Sequence, residues 1–343
     1  MDTIPPSEGG GAGSIPAKGT KESNHWHTTP FFLRLFRYTI LSVRIIKNKN
    51  ITKLNTFGIK CVADYFCKPK SEEDVLFAID WARKNKKEWN VIGGGSNIVC
   101  AERVRGLIIH LSNGVIKQKN NVFVVDAGVP LADLVSETTK KGYKGLETLS
   151  GIPGTVGGAV IGNAGAYGTS IHKTLSRVFV ITEDKTQWIE NKDCEFGYRE
   201  SKFKTKKVVI FRAEFILDKG NKKELIEKSR TIIETRNKKY MPGIRCPGSY
   251  FKNIHISEIP KQAYKKIDQS KIIDSKLPAG YILELVFAKG IKKGDMMVSE
   301  FHANCIVNKK NGTAKEAKTI ARILKKRILK AFGIIIKEEV RYL

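Results

Sequence analysis

Apolar and polar positions along the chain divide it into a polar, glycine-rich leader and a long remainder with mixed helix and strand periodicity. Ser71-Glu72-Glu73-Asp74, set ahead of Val75, Leu76, Ile79 and Ala82, predicts an amphipathic helix opened by a side-chain cap. Short β-branched runs predict strands at Asn90–Ile92, Leu107–His110, Val122–Val125, Val178–Thr182 and Val208–Leu217. The polar break Asp218-Lys219-Gly220-Asn221 then precedes a helix carrying Leu225, Ile226, Ile232 and Ile233, and that break is the expected domain boundary. Near the end, Thr313 to Glu316 has the spacing of a capping box for a helix with Ile320, Leu324 and Ile328 on one face. Gly333 stops that helix, and Ile334–Ile336 opens a last strand that ends in Glu339-Val340-Arg341. No internal repeat is present.

The first 30 residues are rich in Gly, Ser and Pro and are expected to be disordered. Residues 31–46, FFLRLFRYTILSVRII, are apolar but interrupted by Arg34, Arg37 and Arg44, too short and too charged for a bilayer span. Seven Lys or Arg and no acid between Ser23 and Ala63 resemble a transit peptide; an upstream start site, with the protein proper beginning near Leu41 or Val43, explains the same stretch.

A length of 343 residues suits two or three packed domains. The formal net charge of +27 is unusual, but the cations are spread along the chain without a helix-turn-helix, zinc-finger or aromatic-basic signature. They read as solvated surface, with a few meeting phosphates, and no nucleic-acid partner is expected. The six cysteines (Cys61, Cys67, Cys100, Cys194, Cys246, Cys305) form no CxxC pair and the histidines are scattered. That spacing predicts free thiols in a reducing, cytoplasmic compartment and no metal site.

Two glycine segments carry the chemistry. Val91-Ile92-Gly93-Gly94-Gly95-Ser96-Asn97-Ile98 places three glycines after a strand, so backbone N–H groups can turn toward one anion while Ser96 and Asn97 add hydrogen bonds. On its own this run reads equally well as a tight structural turn. The second runs from Gly145 through Gly154-Thr155-Val156-Gly157-Gly158-Ala159 to Gly168, with eight glycines in 24 residues. Its glycines alternate with Ile, Val, Leu and Tyr, which argues for backbone held against a flat or multiply charged ligand rather than for a linker.

Together these segments resemble the FAD-binding domain of the PCMH/VAO-type flavoproteins and, more specifically, the UDP-N-acetylenolpyruvoylglucosamine reductase (MurB) family. The resemblance continues through Asn55-Thr56-Phe57-Gly58, Phe196-Gly197-Tyr198-Arg199-Glu200-Ser201, Gly248-Ser249-Tyr250-Phe251-Lys252-Asn253, Lys276-Leu277-Pro278-Ala279-Gly280, His302-Ala303-Asn304 and Glu339-Val340-Arg341, covering about residues 45–343. It implies an α+β fold. A PCMH/VAO-type FAD domain spans 47–218, is rejoined by the last strand from about 334 to 343, and carries an inserted α+β substrate-binding domain at 222–333. The implied cofactors are FAD and NADPH, and the implied substrate is UDP-N-acetylglucosamine enolpyruvate, reduced to UDP-N-acetylmuramate. A monomer without stable membrane insertion is expected.

Residue by residue, the resemblance implies that Gly93, Gly94, Gly95, Ser96, Asn97, Gly154, Thr155, Gly157, Gly158 and Ala159 hold the cofactor. Ser249 matches the proton donor, although a serine beside glycine is ordinarily a turn residue. Arg199 matches the arginine that grips the substrate carboxylate; outside this context an ion pair with Glu200 or a neighbour is the plain reading. Glu339 matches the C-terminal glutamate, with Glu338 the alternative if the register slips by one. A charged carboxylate beside an enolate would repel it, so a protonated or Arg-paired Glu339 is expected. Lys239, with Lys238 as competitor, matches a lysine near the substrate diphosphate, and Asn253 and Tyr198 match or border substrate contacts. The separation of Arg199 and Ser249 resembles the shorter family type, without a tyrosine-bearing loop. Phe301 and Ile254 stand where lysine and proline are common in the family.

Overall fold

The computed structural model describes residues 43–343 apart from Asn113. The leader at 1–30 and most of the 31–46 stretch lie outside the described residues. No helix among the described residues is long and apolar enough to cross a membrane.

The first sheet is built from β1 (Ile46–Asn50), β2 (Val62–Cys67), β3 (Trp89–Ile92) and β4 (Arg103–His110), in the order β1-β2-β4-β3. β2, β4 and β3 run parallel, and β1 closes the edge antiparallel. A parallel strand in the middle of such a sheet is covered on both faces. Leu107 and Ile109 of β4 accordingly enter the large first core, while Val104 and Ile108 enter a smaller cluster on the other face. Helix α1 (Glu72–Lys84) follows β2. The Ser71 hydroxyl accepts from the Asp74 N–H at 3.2 Å, three acids occupy the first turn, and Val75, Ala78, Ile79 and Ala82 are buried.

A second, antiparallel sheet comprises β5 (Ile116–Lys119), β6 (Val122–Asp126), β7 (Leu175–Ile181), β8 (Thr186–Glu190) and β9 (Val209–Ile216), in the order β8-β7-β9-β6-β5. Helices α2 (Leu131–Lys140) and α3 (Val156–Ile161) lie between its strands in the chain and share the first core with both sheets.

Helix α4 (Lys222–Lys239) follows the 218–221 break. Asp218–Lys219 pairs with Tyr143–Lys144, and α4 lies against α2 and the turn at Glu147–Leu149. Ser229 and Ser150 share a hydrogen bond of 2.6 Å, Lys228 meets Glu147 at 2.8 Å, and Arg236 Nε donates to the Gly151 carbonyl at 3.0 Å. The second core draws most of its side chains from Tyr250 onward. It collects α5 (Ala279–Leu285), the small sheet of β10 (Lys292–Lys293), β11 (Met296–Val298) and β12 (Ile306–Asn308), and α6 (Ala314–Phe332). Both bonds of the expected capping box form at α6: Glu316 N–H to Thr313 Oγ1 at 3.3 Å and Thr313 N–H to Glu316 Oε2 at 2.9 Å.

Phe57, Ile59 and Val99 of the N-terminal part enter the second core, and Asn308 Nδ2 donates to the Phe57 carbonyl at 3.1 Å. The end of the chain departs from expectation. Ile334 and Ile336 are buried in the second core as extended chain, bridged to the Ser249 segment through Phe251 and Glu338. Regular strand is confined to Arg341–Tyr342, which runs parallel to Ile98–Val99.

Candidate active site

The two glycine segments meet face to face. Ser96 Oγ donates to the Pro153 carbonyl at 2.9 Å, and a Cβ on Gly94 would lie 2.9 Å from the Gly154 Cα. Gly95 is held at φ +61°, and a side chain there would strike the Leu54 carbonyl, so this turn can only be glycine. Thr155 caps α3 by accepting from the Gly158 N–H at 3.4 Å. Together the segments form one wall of a cavity of about 460 Å³.

The Ser249 segment forms the facing wall. Tyr250, next in the chain, is fully buried; its N–H donates to the Asn304 carbonyl at 2.9 Å and its hydroxyl meets that of Tyr342 at 2.9 Å. The Tyr250 carbonyl accepts from the Glu339 N–H at 2.8 Å, so Ser249 and Glu339 enter the cavity from adjacent, cross-linked strands of backbone. Asn97 Nδ2 donates to the Glu339 carbonyl at 3.2 Å, tying the same residue to the first glycine segment.

Arg199 approaches from the first core. It sits at φ +56°, a left-handed conformation that is uncommon for a non-glycine residue and costs about 1–3 kcal/mol. The turn is held by reciprocal backbone hydrogen bonds between Gly197 and Glu200. Two of the guanidinium's donors are engaged: Nε donates to Glu339 Oε1 at 3.0 Å and Nη2 to the Gly165 carbonyl at 2.6 Å. Burial raises the Glu339 carboxyl above the ordinary carboxylate range, with Arg199 the leading opposing influence. Glu339 is thus the Arg-paired carboxyl, its pKa held above the ordinary carboxylate range by burial.

Ser249, Arg199 and Glu339 line the same cavity as Gly93, Gly94, Gly95, Ser96, Asn97, Gly154, Thr155, Gly157, Gly158 and Ala159. Three other expected positions do not line it. Lys239 is exposed at the end of α4. Asn253 turns its Oδ1 to the N–H of Ala279, and its own N–H donates to the Tyr198 hydroxyl at 3.2 Å. The Tyr198 ring has the Arg199 guanidinium and the Lys276 ammonium 5.2 and 5.1 Å from its centre. Of these, Tyr198 adjoins Arg199.

Among the lining residues that sequence reasoning did not single out are Lys204, Arg236, Tyr240 and Cys246. None lies in a distinctive motif. Arg236 falls one helical turn before Tyr240 on a helix whose charged residues look like a solvated face, and only tertiary packing selects that turn.

The cavity lining contains four cations, Arg199, Lys204, Arg236 and Arg341, against the single carboxylate of Glu339. Burial lowers the pKa of Lys204, Arg236 and Arg341. A partly dry cavity holding excess positive charge suits a polyanion. A Cβ built on Gly158 meets nothing within 4 Å except the Thr155 hydroxyl at 3.6 Å, so this face of α3 is open to the cavity. A bare backbone wall, an open glycine face and surplus cations fit a flat cofactor bearing a diphosphate.

Comparison with known proteins follows the same division. A family model described as an FAD binding domain matches residues 63–188, which defines the class of the first part. A second, described as the C-terminal domain of UDP-N-acetylenolpyruvoylglucosamine reductase, matches residues 241–343. The UDP-N-acetylenolpyruvoylglucosamine reductase of Solibacter usitatus is 39% identical over 83% of this chain and 92% of that protein. The enzyme of the same name from Carboxydothermus hydrogenoformans is 34% identical over 88% of this chain and 95% of its own length. The crystal structure of UDP-N-acetylenolpyruvylglucosamine reductase (MurB) from Thermus caldophilus superposes with a TM-score of 0.69 at 25% identity, covering 88% of this chain and 99% of that one. The chain belongs to the UDP-N-acetylenolpyruvoylglucosamine reductase (MurB) family.

Proposed function

We infer that this chain reduces UDP-N-acetylglucosamine enolpyruvate to UDP-N-acetylmuramate, a precursor step of peptidoglycan synthesis, with NADPH as reductant and FAD as bound cofactor. The observation that carries this is convergence: Ser249, Arg199 and Glu339, distant in sequence, line the cavity walled by the two glycine segments. FAD, when bound, supplies the hydride that the enolpyruvyl methylene carbon receives. Residues 93–97 and 154–159 hold it, the glycines by close backbone approach and Ser96, Asn97 and Thr155 by polar contact.

The chain's own residues then manage charge and protons. Once the methylene carbon has gained hydride, its neighbour is carbanionic and conjugated with the carboxylate. Arg199 offsets the negative charge growing there, and its ties to Glu339 and Gly165 hold it without reorganisation. Glu339, its pKa raised by burial and its charge paired with Arg199, can hydrogen-bond to the enolate in its protonated form. Ser249 Oγ–H gives its proton to the carbanionic carbon. Lys239 is assigned to the substrate diphosphate, Asn253 to a substrate contact, and Tyr198 to bordering the substrate beside Arg199. We assign the protein to the cytoplasm as a monomer.

The test uses the purified full chain under anaerobic conditions. A bound-flavin absorbance spectrum is expected, bleached by NADPH and restored on addition of the enolpyruvyl substrate. A colourless protein, or reduced flavin that oxygen restores but the enolpyruvyl substrate does not, would contradict the assignment.

A further inference from the structure

We infer that Tyr240 is a positioning residue for the proton step: its phenol fixes the Ser249 hydroxyl and returns a proton to the Ser249 oxygen as that oxygen gives one up. The inference rests on the assignment of Ser249 as the proton source. Tyr240 Oη and Ser249 Oγ lie 2.8 Å apart, and both residues line the cavity. A serine hydroxyl rotates freely unless a partner selects one orientation. Among the described residues, the phenol is the hydrogen-bond partner that the Ser249 side chain makes.

The phenol is itself held in place. Tyr240 ends α4, with its N–H donating to the Arg236 carbonyl at 2.8 Å. Its ring meets the His302 ring edge-on at 5.5 Å between centroids, and the Arg236 guanidinium lies 5.7 Å from the ring centre. Burial pushes its pKa up to about 12, so the phenol carries its proton at neutral pH. A phenol is nonetheless far more acidic than an aliphatic alcohol, and transfer from Tyr240 to a serine alkoxide runs downhill.

The protons balance. The Ser249 O–H bond breaks as a C–H bond forms at the carbanionic carbon, whose electron pair accepts that proton. The Tyr240 O–H bond breaks as a new Ser249 O–H bond forms. The tyrosinate faces Arg236 and recovers a proton from water. No further oxidant or reductant is involved. The titratable groups facing Tyr240 are Arg236 on its own helix, Cys246 on the loop before Ser249, and His302 and Cys305 on the segment before β12.

The test compares Tyr240→Phe with Ser249→Ala in the FAD-loaded full chain, following the two half-reactions separately in H2O–D2O mixtures. Tyr240→Phe keeps the ring and its packing. It is expected to bind FAD and accept electrons from NADPH at the wild-type rate. Reoxidation by enolpyruvyl substrate should slow by about 10- to 10²-fold, the worth of one hydrogen bond to a developing anion. Substrate KM should hold. Wild-type reoxidation should show the curved isotope dependence of two moving protons, and Tyr240→Phe the linear dependence of one.

Wild-type reoxidation in Tyr240→Phe while Ser249→Ala is slow would overturn the Tyr240 role and leave Ser249 standing. Normal reoxidation in both variants would remove the Ser249 assignment, and this inference with it. Slowing of both half-reactions together, or an isotope dependence unchanged from wild type, would make Tyr240 merely structural and equally overturn the inference.

Discussion

Arg199 Nε donates to Glu339 Oε1 across 3.0 Å, joining residues 140 positions apart in the chain. Glu339 both orients the guanidinium and occupies the side of it that would otherwise be bare. Arg199→Lys keeps a charge but loses the planar fork that spans Glu339 and Gly165. Substrate-dependent reoxidation is expected to fall by about 10²- to 10³-fold, the loss typical of one donor to a developing oxyanion. The effects of Arg199→Ala and Glu339→Ala should be clearly non-additive when combined, because each alone removes their shared interaction. Strict additivity in stopped-flow rates would show that the pair does not act as a unit.

Glu339 gives a pH dependence of defined sign. Burial raises its pKa, so the folded protein retains a proton that the unfolded chain has released. Between the ordinary carboxylate value and the raised folded value the native state binds more protons. Unfolding free energy from this group therefore falls as pH rises through that window. The reoxidation rate should decline over the same range as the enolate loses a donor. Glu339→Gln, a permanent donor, should flatten that decline and retain more activity than Glu339→Ala; rate–pH profiles of the half-reaction check this.

Gly158 separates cofactor space from folding. Alanine is favoured over glycine in a helix by about 1 kcal/mol, and the added methyl meets no obstructing atom here. Gly158→Ala is therefore expected to hold or raise the Tm of the FAD-free protein while weakening FAD binding, and Gly158→Leu should abolish binding. Flavin fluorescence titration with thermal unfolding resolves the two effects. Unchanged FAD affinity in Gly158→Leu would move the isoalloxazine or diphosphate away from α3.

The α6 cap gives a stability prediction outside the site. Thr313 and Glu316 satisfy each other's backbone N–H groups at the start of a helix that buries Ile320, Leu324 and Ile328. Thr313→Ala should cost about 0.5–2 kcal/mol in denaturant unfolding and leave both half-reactions unchanged.

Local elements were legible where a side chain and the spacing of apolar residues told the same story. Ser71 before α1 and Thr313 before α6 are both caps in the structure, and the five expected strands lie within or overlap observed ones. A ligand-contacting role was legible in the second glycine segment, because glycines alternating with Ile, Val and Leu argue against a linker; the FAD-binding class came from the resemblance of the two segments to a known family. The end of the chain was less so. Ile334 and Ile336 have strand periodicity, but burial in the second core rather than sheet pairing accounts for it. Helix α4 looked like the start of the second domain because a polar break precedes it, yet it lies on α2 and the Glu147 turn. Tyr240, Arg236 and Lys204 had no signal at all. Their presence at the cavity depends on how α4 and the turn after Arg199 pack, which pairwise spacing does not encode.

The most direct measurement is the pair of half-reaction rates in Ser249→Ala. Removing one hydroxyl beside the cavity should leave flavin reduction by NADPH near normal and slow reoxidation by enolpyruvyl substrate about 10²- to 10⁴-fold, as expected for loss of a general acid. Reoxidation at the wild-type rate, or equal slowing of both half-reactions, would contradict the role given to this serine.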